Sequence, residues 1–149
     1  MSDLSSFLTS EPYIRVFVRP QAGPDFVRSY LRNFDARLEY FFSIPRLNNL
    51  QVVGIKSNLG NVSAVITESL DGFPEYLART SVLYRTDDIE ATLRAAEAAG
   101  MKPLQEKTPV PIGFQGRFEM PGGYVVELFE ISQEGRQYLD PDPAELGFV

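Results

Sequence analysis

The side chains that usually carry chemistry near neutral pH are missing from this chain, which contains neither Cys nor His. That removes thiolate nucleophiles, disulfide frameworks and thiolate metal sites. It also removes Ser-His triads and His-ligated zinc sites, because His is the commonest metal ligand and the usual general base. Carboxylates, guanidinium groups and phenols remain. Tyr30, Tyr40, Tyr76, Tyr84 and Tyr124 could each donate a proton, and nothing in their spacing singles one out. Gly113-Phe114-Gln115-Gly116 lacks the glycine spacing and the Lys of a phosphate loop and precedes a strand-like run, so it reads as a flexible hairpin. Asp87-Asp88 reads as a helix start and Glu106 as a solvated strand charge.

Bulk composition narrows the partners. The formal charge is −6 with no clustered Lys and Arg, which argues against nucleic acid, where phosphate neutralisation is needed. No basic segment leads into an apolar run at the start, and no apolar stretch is long enough to cross a bilayer, so a cytoplasmic protein without a membrane partner is expected. At 149 residues and 44% hydrophobic composition, one domain with a core able to hold a pocket is expected.

The elements that must position any site follow from period and punctuation. Residues 1–12 are polar and small and read as a flexible arm. Tyr13 to Arg19 is a strand stopped by Pro20, with Tyr13, Arg15, Phe17 and Arg19 on one face. Phe26, Val27, Tyr30 and Leu31 fall at helical spacing after Pro24. Three strands are expected over Arg37–Ile44, Gln51–Ser57 and Val62–Ser69, and a connection over Leu70–Ala78. Thr80–Arg85 is again strand-like. Ile89–Ala99 is the clearest helix, with acid at its start, Gly100 past its end and Ile89, Leu93 and Ala96 as its buried stripe. Strands near Met101–Glu106, Gly116–Met120 and Tyr124–Ile131 complete a second β, α, β, β, β order. The tail, 132–149, is polar up to Leu146, Phe148 and Val149, and reads as loose or as packed on a partner subunit.

Ser81-Val82-Leu83-Tyr84-Arg85-Thr86-Asp87-Asp88-Ile89, followed by Ala95-Ala96-Glu97-Ala98-Ala99-Gly100, resembles the opening of the second module of the vicinal oxygen chelate superfamily. Met120-Pro121-Gly122-Gly123-Tyr124-Val125-Val126-Glu127-Leu128-Phe129-Glu130 is similar to that superfamily's closing hairpin. The group includes glyoxalase I, bleomycin-resistance proteins, methylmalonyl-CoA epimerase and extradiol dioxygenases. The resemblance implies an α+β fold of two βαβββ modules, 13–70 and 79–131, forming a curved mixed sheet with a shared cleft, and it implies a homodimer.

The resemblance maps the superfamily's metal-ligand positions onto Arg15, Thr67, Ser81 and Glu127. Arg does not coordinate and isolated hydroxyls are weak ligands, so neither a metal nor another cofactor is expected. Arg15 and Glu127 could pair where the metal's charge would lie, as a structural ion pair, as a ligand anchor, or with Glu127 as a base. Alternation places Phe17, Arg19, Val65, Leu83, Arg85, Val125 and Phe129 on the same faces, either as a pocket lining or as plain core. The implied functions are a metal-free binder of an aromatic or apolar metabolite or antibiotic, or a metal-independent isomerase, cyclase or lyase using Glu127 and Arg15. A metal-dependent glyoxalase-like lyase or dioxygenase, and a docking protein without small-molecule activity, stay open beside them, so whether the chain is an enzyme is undecided. The expected ligand contacts are Arg15, Phe17, Thr67, Ser81, Leu83, Arg85, Glu127 and Phe129.

Overall fold

The computed structural model describes residues 3–149 as two units, one of residues 13–73 with 137–149 and one of 3–12 with 74–136. Each is a βαβββ module. Among the described residues no helix is long and apolar enough to cross a membrane.

Module one runs β1 (Tyr13–Val18), α1 (Gly23–Asn33), β2 (Arg37–Ile44), β3 (Leu50–Ser57) and β4 (Gly60–Ile66). β2 and β3 pair antiparallel, as do β3 and β4, while β1 lies parallel to β4. Strand alternation sends Val16, Val18, Val53, Ile55, Val62, Ala64 and Ile66 to the face covered by α1, where they pack with Val27, Phe26 and Tyr30. A bulge between Leu38 and Tyr40 resets the phase of β2, so Leu38 and Phe41 both serve this core. On the opposite face the Tyr40 ring lies flat over Gly54, its register partner, and a Cβ on residue 54 would collide with that ring. β4 ends at Ile66, three residues before the expected Ser69: Thr67 still donates its N–H to the Val18 carbonyl at 3.0 Å, and the chain bends at Glu68.

Module two runs α2 (Glu75–Arg79), β5 (Thr80–Arg85), α3 (Ile89–Ala98), β6 (Lys102–Val110), β7 (Gly113–Glu119) and β8 (Val125–Ile131). β6, β7 and β8 form an antiparallel ladder and β5 lies parallel to β8. Asp88 caps α3 by accepting the Ala91 N–H at 3.0 Å, and Glu130 accepts the Ile89 N–H at 3.0 Å. Ile89, Leu93 and Ala96 are buried against Phe118, Val126 and Leu128, the stripe read from the sequence. Pro103 and Pro109 sit inside β6, an outer strand of this module's ladder, where a missing N–H is tolerated.

Three readings are corrected here. Gly113 to Gly116 is the first half of β7, not a flexible hairpin, and the chain reverses at Pro111-Ile112 instead. The glycines mark close backbone approach: a Cβ at Gly116 would lie 2.9 Å from Ile89 Cγ2, and one at Gly113 would run into the Glu130 carbonyl. The arm and the tail are also built into the molecule. Leu4–Phe7 is a 3-10 turn, Leu8 bridges to Thr86, and Leu4 and Leu8 pack on the α3 core. From residue 137 on, the tail belongs to module one: Leu139 bridges to Tyr40, and Phe148, 5% exposed, packs in the α1 core.

Candidate functional site

On the module-two face turned away from α3, the register lays side chains out in rows. Leu83, Glu127 and Arg117 form one row across β5, β8 and β7, and Arg85, Phe129 and Gln115 form the next. Val82 and Tyr84, one residue out of phase, pack instead with the α3 core.

Arg117 is the centre of this face. Its Nε donates to Thr80 Oγ1 at 2.9 Å, Nη1 to Gln105 Oε1 at 2.5 Å and Nη2 to Glu127 Oε1 at 2.5 Å. The guanidinium carbon lies 5.0 Å from the centroid of the Tyr76 ring. Side chains of the ion pair are 1% and 7% exposed, so both charges are out of water and hold each other by a charge-assisted bond. α2 supplies Tyr76 and is clasped in turn: Arg79 donates to Glu119 at 2.6 Å and to the Gly123 carbonyl at 3.1 Å. The hydrogen bond from Arg79 holds the Glu119 carboxyl below the usual carboxylate range, and the same bond raises the Arg79 guanidinium above its ordinary value.

Arg85 stands at the end of β5. Its Nε is buried and has no hydrogen-bond partner among the described residues. Its backbone is held tightly, by Thr9 N–H to the Arg85 carbonyl at 2.8 Å and by the Arg85 N–H to Ser10 Oγ at 2.9 Å.

The corresponding face of module one is built from hydroxyls and rings. Arg15 is buried and its Nη2 lies 3.5 Å from Ser63 Oγ, which also accepts from the Tyr40 hydroxyl at 3.0 Å. The Tyr13 hydroxyl donates to Glu39, and the Tyr13, Tyr40, Phe42 and Tyr138 rings follow one another at centroid distances of 6.2, 5.9 and 6.4 Å. At the far end of the module, Thr67 lines a cavity of about 470 Å³ with Asn48, Gln51, Ile66, Glu68 and Phe73.

The residues singled out in the sequence therefore distribute as follows. Leu83, Arg85, Glu127 and Phe129 share the module-two face, with Leu83, Glu127 and Phe129 buried and Arg85 partly so. Phe17 is 37% exposed and Val65 buried in module one, Arg19 is exposed beyond the end of β1, and Val125 is buried at the start of β8. Ser81 is exposed and its hydroxyl is directed to the Arg79 carbonyl at 3.4 Å, while Thr67 donates to the Ser69 carbonyl at 3.1 Å. Arg117 went unread although a signal existed: Gly122 marks the hairpin centre, and residues 117 and 127 are equidistant from it.

These positions do not fit the divalent metal of the fold's metal enzymes. Arg15 is a cation, Glu127 commits an oxygen to Arg117, and the Ser81 and Thr67 hydroxyls point at carbonyls. Among the described residues no three carboxylates converge elsewhere.

No protein-family model and no curated protein matches this sequence. Solved structures do. An uncharacterised protein from Methanosarcina mazei is similar with a TM-score of 0.63 and 18% identity, over 83% of this chain and 93% of that one. Methylmalonyl-CoA epimerase from Mycobacterium tuberculosis is similar with a TM-score of 0.64 and 12% identity, over 85% and 90%. A mutant 4-hydroxymandelate synthase from Streptomyces coelicolor has a TM-score of 0.50 and 18% identity, over 80% of this chain and 37% of that one. At these identities the likeness establishes the fold.

Proposed function

From the premise that this chain has the fold of the vicinal oxygen chelate superfamily, we propose that it is a metal-independent binding protein for a small organic molecule. The ligand has an aromatic or apolar body and an anionic or carbonyl group, and it is held on the module-two face. The observation that carries this reading is the buried Nε of Arg85, which has no partner among the described residues. A buried donor left unmade costs about 1–3 kcal/mol, and a carboxylate or carbonyl oxygen would recover that cost. Phe129 in register with Arg85, and Leu83 one row away, are buried beside it and make its surroundings apolar.

Glu127 supports binding over catalysis. A proton acceptor needs a free lone pair aimed at the substrate, whereas Oε1 of Glu127 already accepts from a guanidinium fixed by two further hydrogen bonds. The metal-independent isomerase, cyclase or lyase reading with Glu127 and Arg15 is weaker on that ground, and the donor set speaks against the metal-dependent one. A cytoplasmic homodimer, with neither nucleic acid nor membrane as partner, completes the proposal.

Native mass spectrometry on protein purified from its host without chelator, with metal analysis of the same sample, tests it. The expected result is a metal-free dimer carrying an organic adduct that Arg85→Ala no longer retains. Stoichiometric metal, or an adduct retained undiminished by Arg85→Ala, would overturn it.

A further inference from the structure

The arm that reads as flexible in the sequence ends on the residue that carries the proposed function. Leu8 pairs with Thr86, the Thr9 N–H donates to the Arg85 carbonyl at 2.8 Å, and the Arg85 N–H donates to Ser10 Oγ at 2.9 Å. Both backbone groups of Arg85 are therefore held by residues 9 and 10. The Ser10 hydroxyl is itself oriented, because it donates to the Glu11 carbonyl at 2.9 Å and so presents a lone pair to Arg85. Further back, the 3-10 turn at Leu4–Phe7 is capped by Asp3, which accepts the Ser5 N–H at 3.0 Å, and Leu4 and Leu8 anchor it on the α3 core.

A strand end held on one side frays, and fraying at Arg85 would swing its guanidinium through a wide arc. We infer that Ser10 is a positioning residue for Arg85 and that the N-terminal arm is an integral part of the binding site. This rests on the reading of Arg85 as the ligand's anchor. A serine hydroxyl standing in for a strand carbonyl is a weaker tie than a full ladder bond. Ligand binding and arm docking then stabilise each other by linkage.

Nuclear magnetic resonance on the full chain separates the two claims, with the Arg85 Nε–H and backbone amide as reporters and phenylacetate as the probe ligand. In the unliganded protein, Ser10→Ala should shift the Arg85 Nε resonance and speed exchange of the Arg85 amide by about 3- to 10-fold, the worth of one hydrogen bond. Ser10→Thr, which keeps the hydroxyl, should restore both, and the global urea midpoint of Ser10→Ala should stay close to that of the parent. Phenylacetate should move the Arg85 Nε resonance and bind Ser10→Ala about 3- to 10-fold more weakly. An unchanged Arg85 resonance and exchange rate in Ser10→Ala would overturn the positioning role whatever the probe does. A parent protein whose Arg85 resonance ignores phenylacetate, while Ser10→Ala still disturbs it, would instead count against Arg85 as the anchor.

Discussion

Modules one and two share an element order and an apolar helix face, yet their opposite faces are built from different chemistry. Module one gathers hydroxyls and rings there around the guanidinium of Arg15, with Arg15 and Tyr40 both on Ser63 and a run of rings from Tyr13 to Tyr138. Module two buries a full charge pair, Arg117 with Glu127, and satisfies the guanidinium with Thr80 and Gln105. The helix face is constrained by close packing of strand residues against α1 or α3, so both copies of the repeat keep it. The other face has no such shared constraint. A repeated topology therefore conserves its packing side and diversifies the side that can meet a ligand.

The strongest way to break this comparison is to remove the charge from module two. Arg117→Met or Glu127→Leu alone should cost about 3–5 kcal/mol, because each leaves the other charge buried without its partner, whereas the double replacement should cost far less. Urea unfolding of the four proteins measures this. Two small, additive losses would show that the pair is solvated and that the two faces differ less than their contacts imply.

A second test asks whether module one depends on the tail as module two depends on its buried pair. Phe148 sits against Phe41 at a centroid distance of 6.0 Å, and Arg28 donates to the Gly147 carbonyl at 3.0 Å. Phe148→Ala should cost about 1.5–3 kcal/mol, the worth of burying one large apolar side chain. Amide exchange should rise in α1 and β2 while α3 and β8 keep their protection. Equal loosening of α1 and α3 would contradict the assignment of the tail to module one.

Legibility in the sequence followed the same division. Thr80–Arg85 and Arg37–Ile44 stand where their β-branched and aromatic content puts them, and α3 starts at Ile89 after its acidic cap. Alternation also set Leu83, Arg85, Glu127 and Phe129 on one face. What escaped is whatever periodicity does not encode. α2 is a five-residue helix directly after Pro74, too short for a 3.6-residue pattern. β6 runs on to Val110 because an outer strand accepts proline. The arm and the tail are held mainly by backbone bonds and single apolar anchors, which leave no repeat to read. Arg15 was read as a residue that could pair with Glu127, and the sequence reading did not include Arg117, which holds Oε1 of Glu127 from one strand over in the same hairpin. A strand pairing is needed to see that, and composition does not supply it.

The smallest expected effect asks how far module two's charge network reaches beyond its buried pair. Arg79 and Glu119 are partly exposed, and the hydrogen bond from Arg79 keeps the Glu119 carboxyl below the usual range. A carboxyl depressed in the folded state contributes stability that is present above its unfolded value and disappears as pH falls through the folded one. The stability difference between the parent and Glu119→Gln should therefore favour the parent at neutral pH and shrink on acidification, vanishing once Glu119 is protonated in both states. Urea midpoints taken from neutral pH downwards follow it, and Lys107 with Glu130, a pair at 3.3 Å on the α3 side of the same module, offers a control away from the Arg117 face. A difference that grew on acidification would mean that Glu119 is strained by Arg79 instead of stabilised by it. A clasp of that kind would hold α2 over Arg117 at a cost, and the charge network would then end at the buried pair.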